Sequence, residues 1–476
     1  MFGIFSIIEN SHDEICEEEG FKVILGEIGS RPLRLCVKQF LPLMIAQYTP
    51  AIRHNHPHTK SLISSRLFPV LSYIIAKQNR NTMQSENPVL TAINKREFEK
   101  AEQLLLNGEN IPEDIHYFNL SQLYDQVTRA KAFGILNILI DRKRIITDVY
   151  EYESFRNSIF DALFKNLPED VDGQNFLESF LKKLKNKNDE VEGFTLLSYA
   201  LEEGASPAII RTMISNGCAT DFRNLAEETL VYQVVNNNRV NAEKRFEYLS
   251  ILLEQGIDIN EPNVEGTTAL HLAVRRHKKE FIQPLLDYGA DPTIADKKNE
   301  TAFYTAIVDL NDGEIYKQLS VKHRADFNLR NRSNESLLSG FMRMMYQSDG
   351  GFSLLQQLID DGADLKQCSP YYSEDKSGLD WLIEKDSSLL KAIVEKNSID
   401  VNEQDNDGNT MLHKICGKDC NYSQEAAKNT YRKVKFLLGA GADPSITNTQ
   451  DQTAMQLAAK DNLKAKTVEL LLNSKK

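Results

Sequence analysis

Alternating histidines near the amino end are the side chains best suited to metal chemistry. His54, His56 and His58 are separated by single residues, and neutral imidazole is the commonest transition-metal donor in proteins. No cysteine or acidic pair at ligand spacing accompanies them, and Pro57 disrupts the strand geometry that alternation would need. The pattern therefore favours a solvated loop over a metal site, and we expect no cofactor.

A thiol paired with an imidazole is a second chemical reading of the same region. Cys16 or Cys36 could act with one of those histidines as an activated nucleophile. Residues 1–80 are few for a usual thiol-protease fold unless residues 85–189 contribute. This pairing keeps a modifying enzyme open as the alternative function.

A third cluster lies near the carboxyl end, where His413, Cys416 and Cys420 have the spacing of a zinc half-site. The chain carries no Walker loop and no Gly-x-Gly-x-x-Gly, Gly-x-Ser-x-Gly or His-Glu-x-x-His motif. We therefore name no catalytic and no metal-binding residue, and we favour a binding protein over an enzyme.

The bulk composition narrows the class of partner. The chain has 476 residues, 26% of them charged, and a net charge of −12. This balance disfavours nucleic acid, because a phosphate-tracking surface needs a basic stripe. Six scattered cysteines indicate reduced thiols rather than a disulfide framework. No stretch reaches about 18 uninterrupted apolar residues and no cleavable signal peptide is apparent, so we expect a cytoplasmic protein without a membrane span.

A repeated sequence motif predicts the secondary-structure elements that would position any site. Residues 266–274 read Gly-Thr-Thr-Ala-Leu-His-Leu-Ala-Val, and residues 285–292 read Leu-Leu-Asp-Tyr-Gly-Ala-Asp-Pro. The motif restarts at Thr301, 33 residues after Thr268. A Thr or Ser marks the head of each unit, at Thr195, Thr229, Thr268, Thr301, Ser336, Thr410 and Thr453, and residues 378–382 fill the place of one more.

A head of Thr-x-Leu-His-x-Ala and a tail of Leu-Leu-x-x-Gly-Ala-Asp resemble the ankyrin repeat. The resemblance implies an all-α solenoid of helix–turn–helix units with β-turn fingers, each unit burying its apolar face against its neighbours. It also implies that Thr268 with His271, and Thr410 with His413, hydrogen-bond within and between turns. Cys416 then falls where the family places a small buried helix residue, which favours packing over the zinc half-site.

The strength of the resemblance divides the chain into three parts. We predict an ankyrin-repeat domain at 190–476, degenerate helical repeats at 81–189, and a small non-repeat cap or module at 1–80. About eight to eleven helix pairs are expected. Three insertions, at 236–244, 367–376 and 418–428, are expected to project as loops, either on the binding face or as tolerated surface drift.

The resemblance implies a protein–protein interaction scaffold that binds a partner protein through a concave surface of turn tips and first helices. The positions carried over as protein-binding residues are Val264, Glu265, Thr267, Arg275, Arg276, Lys278, Lys297, Lys298, Glu300, Asn406, Asp407 and Asn409. The basic run 275–279 predicts a partner with an acidic surface, and a solvated charged helix face is the competing interpretation. We expect a monomer.

The wider role has two competing predictions. Degenerate repeats, long insertions and a non-repeat amino-terminal region are similar to ankyrin effectors that intracellular bacteria inject into the host-cell cytoplasm. The alternative is a thiol-type hydrolase or transferase in which residues 1–189 catalyse and the repeats select the target.

Overall fold

The structure, a computed structural model, describes residues 87–474. The predicted cap at 1–80, with Cys16, Cys36 and the three alternating histidines, lies outside the described residues. The repeats lie in a compact unit that spans residues 92–476.

The described residues are mainly helical. The helices are α1 (Pro88–Asn94), α2 (Phe98–Leu106), α3 (Tyr117–Arg129), α4 (Phe133–Asp141), α5 (Ile159–Asn166), α6 (Val171–Lys183), α7 (Leu196–Glu203), α8 (Pro207–Ser215), α9 (Leu230–Asn236), α10 (Ala242–Leu253), α11 (Ala269–Arg275), α12 (Lys279–Asp287), α13 (Ala302–Tyr304), α14 (Gly313–Leu319), α15 (Leu337–Met344), α16 (Asp349–Asp360), α17 (Gly378–Glu384), α18 (Ser387–Asn397), α19 (Met411–Gly417), α20 (Gln424–Gly439), α21 (Ala454–Ala458) and α22 (Ala465–Asn473). A hairpin is formed by β1 (Cys368–Tyr371) and β2 (Glu374–Ser377), short 3₁₀ turns lie at Val149–Glu151 and Asn462–Lys464, and a π turn at Thr305–Asp309.

From α3 to α22 the helices of the described chain form ten pairs, each with an odd-numbered first helix and an even-numbered second helix. First helices pack against the first helices of neighbouring pairs, as α9 does against α11, and second helices do the same, as α8 does against α10. The same packing joins α5 to α7 and α6 to α8, so the helix pairs expected before residue 190 continue the array. The predicted all-α repeat architecture is confirmed.

The Thr or Ser at the head of a unit caps its first helix. The Thr229 hydroxyl oxygen accepts the backbone N–H of Tyr232 at 3.2 Å, and that of Ser377 accepts the N–H of Asp380 at 3.1 Å. The first turn of a helix leaves its N–H groups without intrahelical partners, and such a cap stabilises the fold by about 1 kcal/mol.

Histidines reinforce two of these caps, as the resemblance implied. The N–H groups of Thr268 and Thr410 donate to Nδ1 of His271 and His413, at 3.2 Å in both units. The Nε2 atom of His413 lies 3.0 Å from the carbonyl oxygen of Gln452 in the next unit. Each imidazole is buried, so the predicted Thr–His bonds are structural.

Paired aliphatic side chains of the second helices form the core between units. Leu252, Leu285, Leu358 and Leu437 have no solvent exposure. Burying a leucine side chain contributes roughly 1.5–3 kcal/mol, which an isolated unit could not gain because it has nothing to cover that face. Stacking is therefore the source of most of the stability.

Helix α13 runs into a π turn because its unit carries one extra residue. The buried Ile315 lies 14 residues after Thr301. In the preceding unit the equivalent residue, Phe281, lies 13 residues after Thr268. The N–H of Leu310 donates to the carbonyl of Thr305, five residues earlier, at 3.1 Å. The wider turn absorbs the insertion without displacing α14, and Asp309 is exposed at its end.

Two of the three expected loops contain regular structure. Residues 367–376 form most of the β1–β2 hairpin, in which Cys368 lies opposite Ser377. The insertion at 418–428 becomes helical at Gln424, because the Ser423 hydroxyl oxygen accepts the N–H of Ala426 at 3.2 Å and caps α20. The 367–376 insertion is therefore a hairpin rather than an irregular loop, whereas residues 418–423 and most of 236–244 are loops as expected. A place for these insertions on the binding face stays a prediction.

No helix within the described residues has the length and apolar character needed to cross a membrane.

Candidate binding surface

Turn fingers connect successive helix pairs, and in six of the described fingers an Asn or Asp side chain holds the turn closed. In the finger before α11, Oδ1 of Asn263 accepts the backbone N–H groups of Glu265 at 2.9 Å and of Thr267 at 3.0 Å. The same pair of bonds is made by Asn224, Asp296, Asn331, Asp405 and Asn448. These six residues are not among those predicted from the sequence, although each lies five positions before a capping Thr or Ser.

Backbone hydrogen bonds join four fingers into a row. They run from Val264 N to Ala226 O, from Lys297 N to Glu265 O and from Arg332 N to Lys298 O, at 2.9 to 3.0 Å. We call this row the finger crest and define it by the tips at 225–227, 264–266, 297–299 and 332–334. Because each tip is tied to the next, the crest has a fixed spacing before any partner arrives.

One glycine permits the close approach of two crest tips. Gly266 has a φ of 81°, and a Cβ on it would lie 2.9 Å from the backbone nitrogen of Lys297. Gly408 stands in the same relation to Thr449, at 2.9 Å, in the pair of fingers before α19 and α21. A side chain at either position would separate the tips.

The β1–β2 hairpin follows the crest and is fastened to it by side chains. The Arg330 guanidinium donates to the carbonyl oxygen of Cys368 at 2.9 Å and to Oγ of Ser369 at 3.1 Å. The ammonium of Lys376 lies 4.5 Å from the ring centre of Trp381, whose indole N–H donates to a neighbouring serine. Trp381, only 6% exposed, is therefore a packing residue.

Eight of the twelve predicted binding residues are exposed. They are Val264, Glu265, Arg275, Arg276, Lys297, Lys298, Asn406 and Asp407. The structure brings Val264, Glu265, Lys297 and Lys298 together on the crest, and it places Asn406 and Asp407 on a separate pair of linked fingers, where Thr449 N donates to Asp407 O at 2.9 Å.

Burial corrects the expected role of Thr267, which supports its finger from within, whereas the binding roles of the half-buried Asn409 and Glu300 stay predictions. Thr267 is only 1% exposed, and its hydroxyl donates to Asn263 Oδ1 at 2.9 Å. Asn409 is half-buried and accepts from the Asn448 amide at 3.1 Å. Glu300 is half-buried as well, and burial is the main cause of its raised pKa.

The expected basic face at 275–279 is largely engaged by the protein itself. The Lys278 ammonium donates to the carbonyls of Val235 at 2.6 Å and Asn236 at 3.2 Å, because the end of α9 leaves these groups without partners. Burial lowers the pKa of Lys278. The remaining cations of the run that pair with carboxylates are Arg275, 3.7 Å from Asp296, and Lys279, 2.5 Å from Asp312. The Lys278 ammonium is therefore bound within the protein, and Arg276 is the exposed arginine of the run for which the described residues provide no carboxylate partner.

Further first-helix charges pair with fingers in the same way. The Arg343 guanidinium makes two bonds to the Glu335 carboxylate, at 2.9 and 3.0 Å. The Lys414 ammonium lies 2.6 Å from Asp380 and 2.9 Å from Asp405. Burial would raise the pKa of Asp380, but its hydrogen bonds, first among them that from Lys414, hold it below the usual value. Much of the first-helix charge is therefore neutralised internally.

The crest carries the charges that stay unpaired. Lys297, Lys298 and Arg332 are exposed, and among the described residues no carboxylate forms an ion pair with any of the three. At the other end of the crest Leu225 is 92% exposed and Val264 is 44% exposed. This combination of exposed cations and exposed apolar side chains can bind a partner.

The zinc half-site spacing is explained by packing. Burial raises the pKa of the Cys416 thiol to about 12, and a metal needs the thiolate. His413 is occupied by Thr410 and Gln452. Within residues 87–474 no three His, Cys, Asp or Glu side chains are grouped to hold a metal ion.

Comparison with known families identifies the repeat. A family model described as "Ankyrin repeats (3 copies)" matches residues 196–297 and 240–331. The chain contains ankyrin repeats. The matched residues include the heads at Thr229, Thr268 and Thr301.

Curated relatives share only part of their length with this ankyrin-repeat chain. Protein glp-1 of Caenorhabditis elegans is 25% identical over 264 residues, covering 54% of this chain and 19% of glp-1. Putative ankyrin repeat protein FPV232 of Fowlpox virus is 23% identical over 299 residues, covering 49% of this chain and 59% of the viral protein. The chain spans less than two thirds of the length of either.

Solved structures with similar folds include the ankyrin repeat domain of Bcl-3, at 20% identity and a TM-score of 0.40, covering 51% of this chain and 97% of that domain. Another is Bd0816 Predatory Endopeptidase from Bdellovibrio bacteriovorus in complex with immunity protein Bd3460, at 19% identity and a TM-score of 0.34, covering 44% of this chain and 98% of that chain.

Proposed function

We propose that this ankyrin-repeat chain is a scaffold that binds a partner protein through the finger crest. Ankyrin repeats imply protein–protein interaction. The observation that carries the proposal is a row of four tips, linked by backbone hydrogen bonds, whose exposed cations form no ion pair with any carboxylate of residues 87–474. A surface fixed in advance loses little conformational entropy on binding, so more of its contact energy becomes affinity.

The crest is better suited to this role than the first helices. A partner that used Arg343 or Lys414 would first have to break the ion pairs these side chains make with Glu335, Asp380 and Asp405. Among the described residues no carboxylate forms an ion pair with Lys297, Lys298 or Arg332, and Lys298 has only a longer-range attraction to Glu300 and Asp309. An incoming carboxylate therefore has no ion pair to break at these side chains.

Other exposed positions of the predicted surface stay part of the proposal. Glu265 lies on the crest itself, and Asn406 with Asp407 offers a second contact region before α19. Arg276, at the end of α11, is the exposed remainder of the basic run and would extend the contact beyond the tips.

Affinity capture from a cell lysate tests the crest. The bait is the full chain, compared with a triple variant carrying Lys297→Glu, Lys298→Glu and Arg332→Glu. The control variant carries Lys435→Glu, Lys460→Glu and Lys466→Glu, which change the same charge at exposed lysines of the last two helix pairs. Circular dichroism establishes that all three baits are folded.

We expect the wild-type and control baits to capture the same proteins and the crest variant to lose them. Equal capture by the crest variant would reject the crest as the binding surface. A separate Arg276→Glu bait measures whether the first-helix end contributes.

The remaining predictions about the wider role are not part of this proposal. A bacterial effector acting in the host-cell cytoplasm stays a prediction, as does the monomeric state. The thiol-type enzyme depends on Cys16, Cys36 and histidines outside the described residues, and it also stays a prediction.

A further inference from the structure

We infer that the finger crest takes an extended acidic peptide segment, in which one apolar residue is followed by carboxylates about three and about six residues further along. The inference rests on the proposed function and narrows the partner from any protein to a chain segment of defined pattern. Three observations carry it: an apolar end, a cationic end, and the spacing between them.

The apolar end of the crest consists of Leu225 and Val264. They occupy adjacent tips, because Val264 N donates to Ala226 O at 3.0 Å. Single exposed apolar side chains are common on protein surfaces, but these two lie on neighbouring linked tips, which favours an apolar residue on the partner at this end.

The cationic end consists of Lys297 and Lys298 on one tip and Arg332 on the next. Nearby cations such as Arg275 and Lys279 form ion pairs with carboxylates, whereas these three form none within the part of the chain that the structure describes. Unpaired cations on two successive tips favour two carboxylates on the partner, one opposite each tip.

Acidic side chains on the crest and on the hairpin that follows it argue against a nucleic acid. Exposed Glu227 and Glu265 precede the cationic tips, and exposed Glu374 and Asp375 follow on the hairpin. A phosphate backbone carries charge at every step and would be repelled at both ends, whereas a peptide carries carboxylates only where its sequence places them.

The spacing follows from repeat stacking. Packed helices lie about 8–10 Å apart, so neighbouring tips are separated by a similar distance. An extended chain advances about 3.3 Å per residue, which gives about three residues per tip. A residue at Val264 is then followed after about three residues by the tip of Lys297 and Lys298, and after about six by Arg332.

The finger crest is better suited to an extended partner segment than to a partner helix. A bound amphipathic helix needs a continuous apolar groove for its apolar stripe. Along the crest the exposed apolar side chains are confined to the first two tips, and charged residues occupy the next two.

Selection from a display library of random peptides tests the inference with the immobilised full chain. We expect enrichment of peptides that have one apolar residue and carboxylates at the stated spacings, in one chain direction. The Lys297→Glu, Lys298→Glu, Arg332→Glu variant should lose the acidic preference. A Leu225→Ser, Val264→Ser variant should lose the apolar preference and keep the acidic one.

The best selected peptide then gives a direct measurement by fluorescence anisotropy. We expect its affinity to fall at least tenfold in each variant, to be unchanged in the Lys435→Glu, Lys460→Glu, Lys466→Glu control, and to weaken as salt is added. Enrichment that is absent, that is identical in the crest variant, or that has helical spacing of about six residues per tip with no carboxylate at about three overturns the inference.

The two proposals fail in distinguishable ways. If lysate capture depends on the crest but no peptide pattern is enriched, the partner is a folded surface, so the scaffold stands and the peptide inference falls. If capture is indifferent to the crest variant, the proposed function falls first.

Discussion

At the residue scale, buried and half-buried lysines donate hydrogen bonds to the last carbonyl groups of several first helices. The last carbonyls of a helix lack intrahelical partners and carry a partial negative charge, so an ammonium group is well placed there. Three such hydrogen bonds, 2.6 to 3.0 Å long, run from Lys278 Nζ to Val235 O, from Lys433 Nζ to Ile383 O and from Lys464 Nζ to Cys416 O. In each case the lysine belongs to a later segment than the helix it completes, so the bond holds two segments together.

Lys433 should give the protein a distinctive response to alkaline pH. Burial lowers its pKa to about 8; nearby Lys418 adds to the shift, while Asp386 and Glu384 oppose it. An unfolded lysine keeps a pKa near about 10.4, so between about pH 8 and about pH 10 the unfolded chain binds more protons. Stability conferred at this site therefore rises with pH across that window. We expect Lys433→Met to remove that rise, measured as the free energy of unfolding in urea at several pH values.

The matched control for this prediction is Lys435→Met, an exposed lysine two residues along the same helix. It should show the same pH dependence as the wild-type chain. A Lys433→Met variant whose stability follows the wild-type pH curve would contradict the prediction, since the titrating group would then lie elsewhere.

Residue roles could be read from the sequence where they are local. The Thr–His caps depend on residues three apart, and both appear as expected. The role of Lys278 could not be read, because its partners in α9 are reached only after two units stack. Thr267 and Thr268 are adjacent and of the same type, so their sequence does not show that the turn of the finger buries both side chains.

The fingers are the elements whose geometry decides binding, and Gly266 is the position where that geometry can be broken. An Ala there would adopt a left-handed φ at a cost of about 1–2 kcal/mol, and its Cβ would press on the Lys297 backbone. We expect Gly266→Ala to lower the free energy of unfolding by at least that amount. It should also speed hydrogen exchange at the Lys297 amide, which loses its bond to Glu265.

Gly439→Ala is the control for the finger prediction. Gly439 ends α20, has no neighbouring atom within 4 Å of an added Cβ, and should gain up to about 1 kcal/mol from helix propensity. A Gly266→Ala chain as stable as wild type would mean that the tips can separate freely, and the crest would not be fixed in advance.

Insertions mark the limit of what spacing can predict about the elements. Their positions follow from the length between capping residues, but their conformations do not. The 367–376 insertion pairs with itself as a hairpin, the 418–428 insertion is partly absorbed by α20, and the single extra residue after Thr301 widens one helical turn. Each outcome depends on local caps and on neighbouring units that a count of residues does not contain.

The whole array has a modular energetics, because the packing described above joins each pair to its immediate neighbours. Repeat proteins of this kind gain stability from intrinsic terms of each unit and from nearest-neighbour interfaces. A defect at one end should therefore loosen that end without transmitting its full cost along the chain.

Leu471 tests this modularity at the carboxyl end. It has no solvent exposure in α22, and Leu→Ala at such a site costs about 2–5 kcal/mol. We expect Leu471→Ala to reduce hydrogen-exchange protection in α21 and α22 and, more weakly, in α19 and α20, while α7 to α10 keep wild-type protection. Leu472→Ala is the adjacent control, because Leu472 is 52% exposed and its loss should change little. Protection lost evenly from α3 to α22 would mean that the helix pairs unfold as one cooperative block. The crest at 225–334 would then be destabilised by a substitution in a distant repeat.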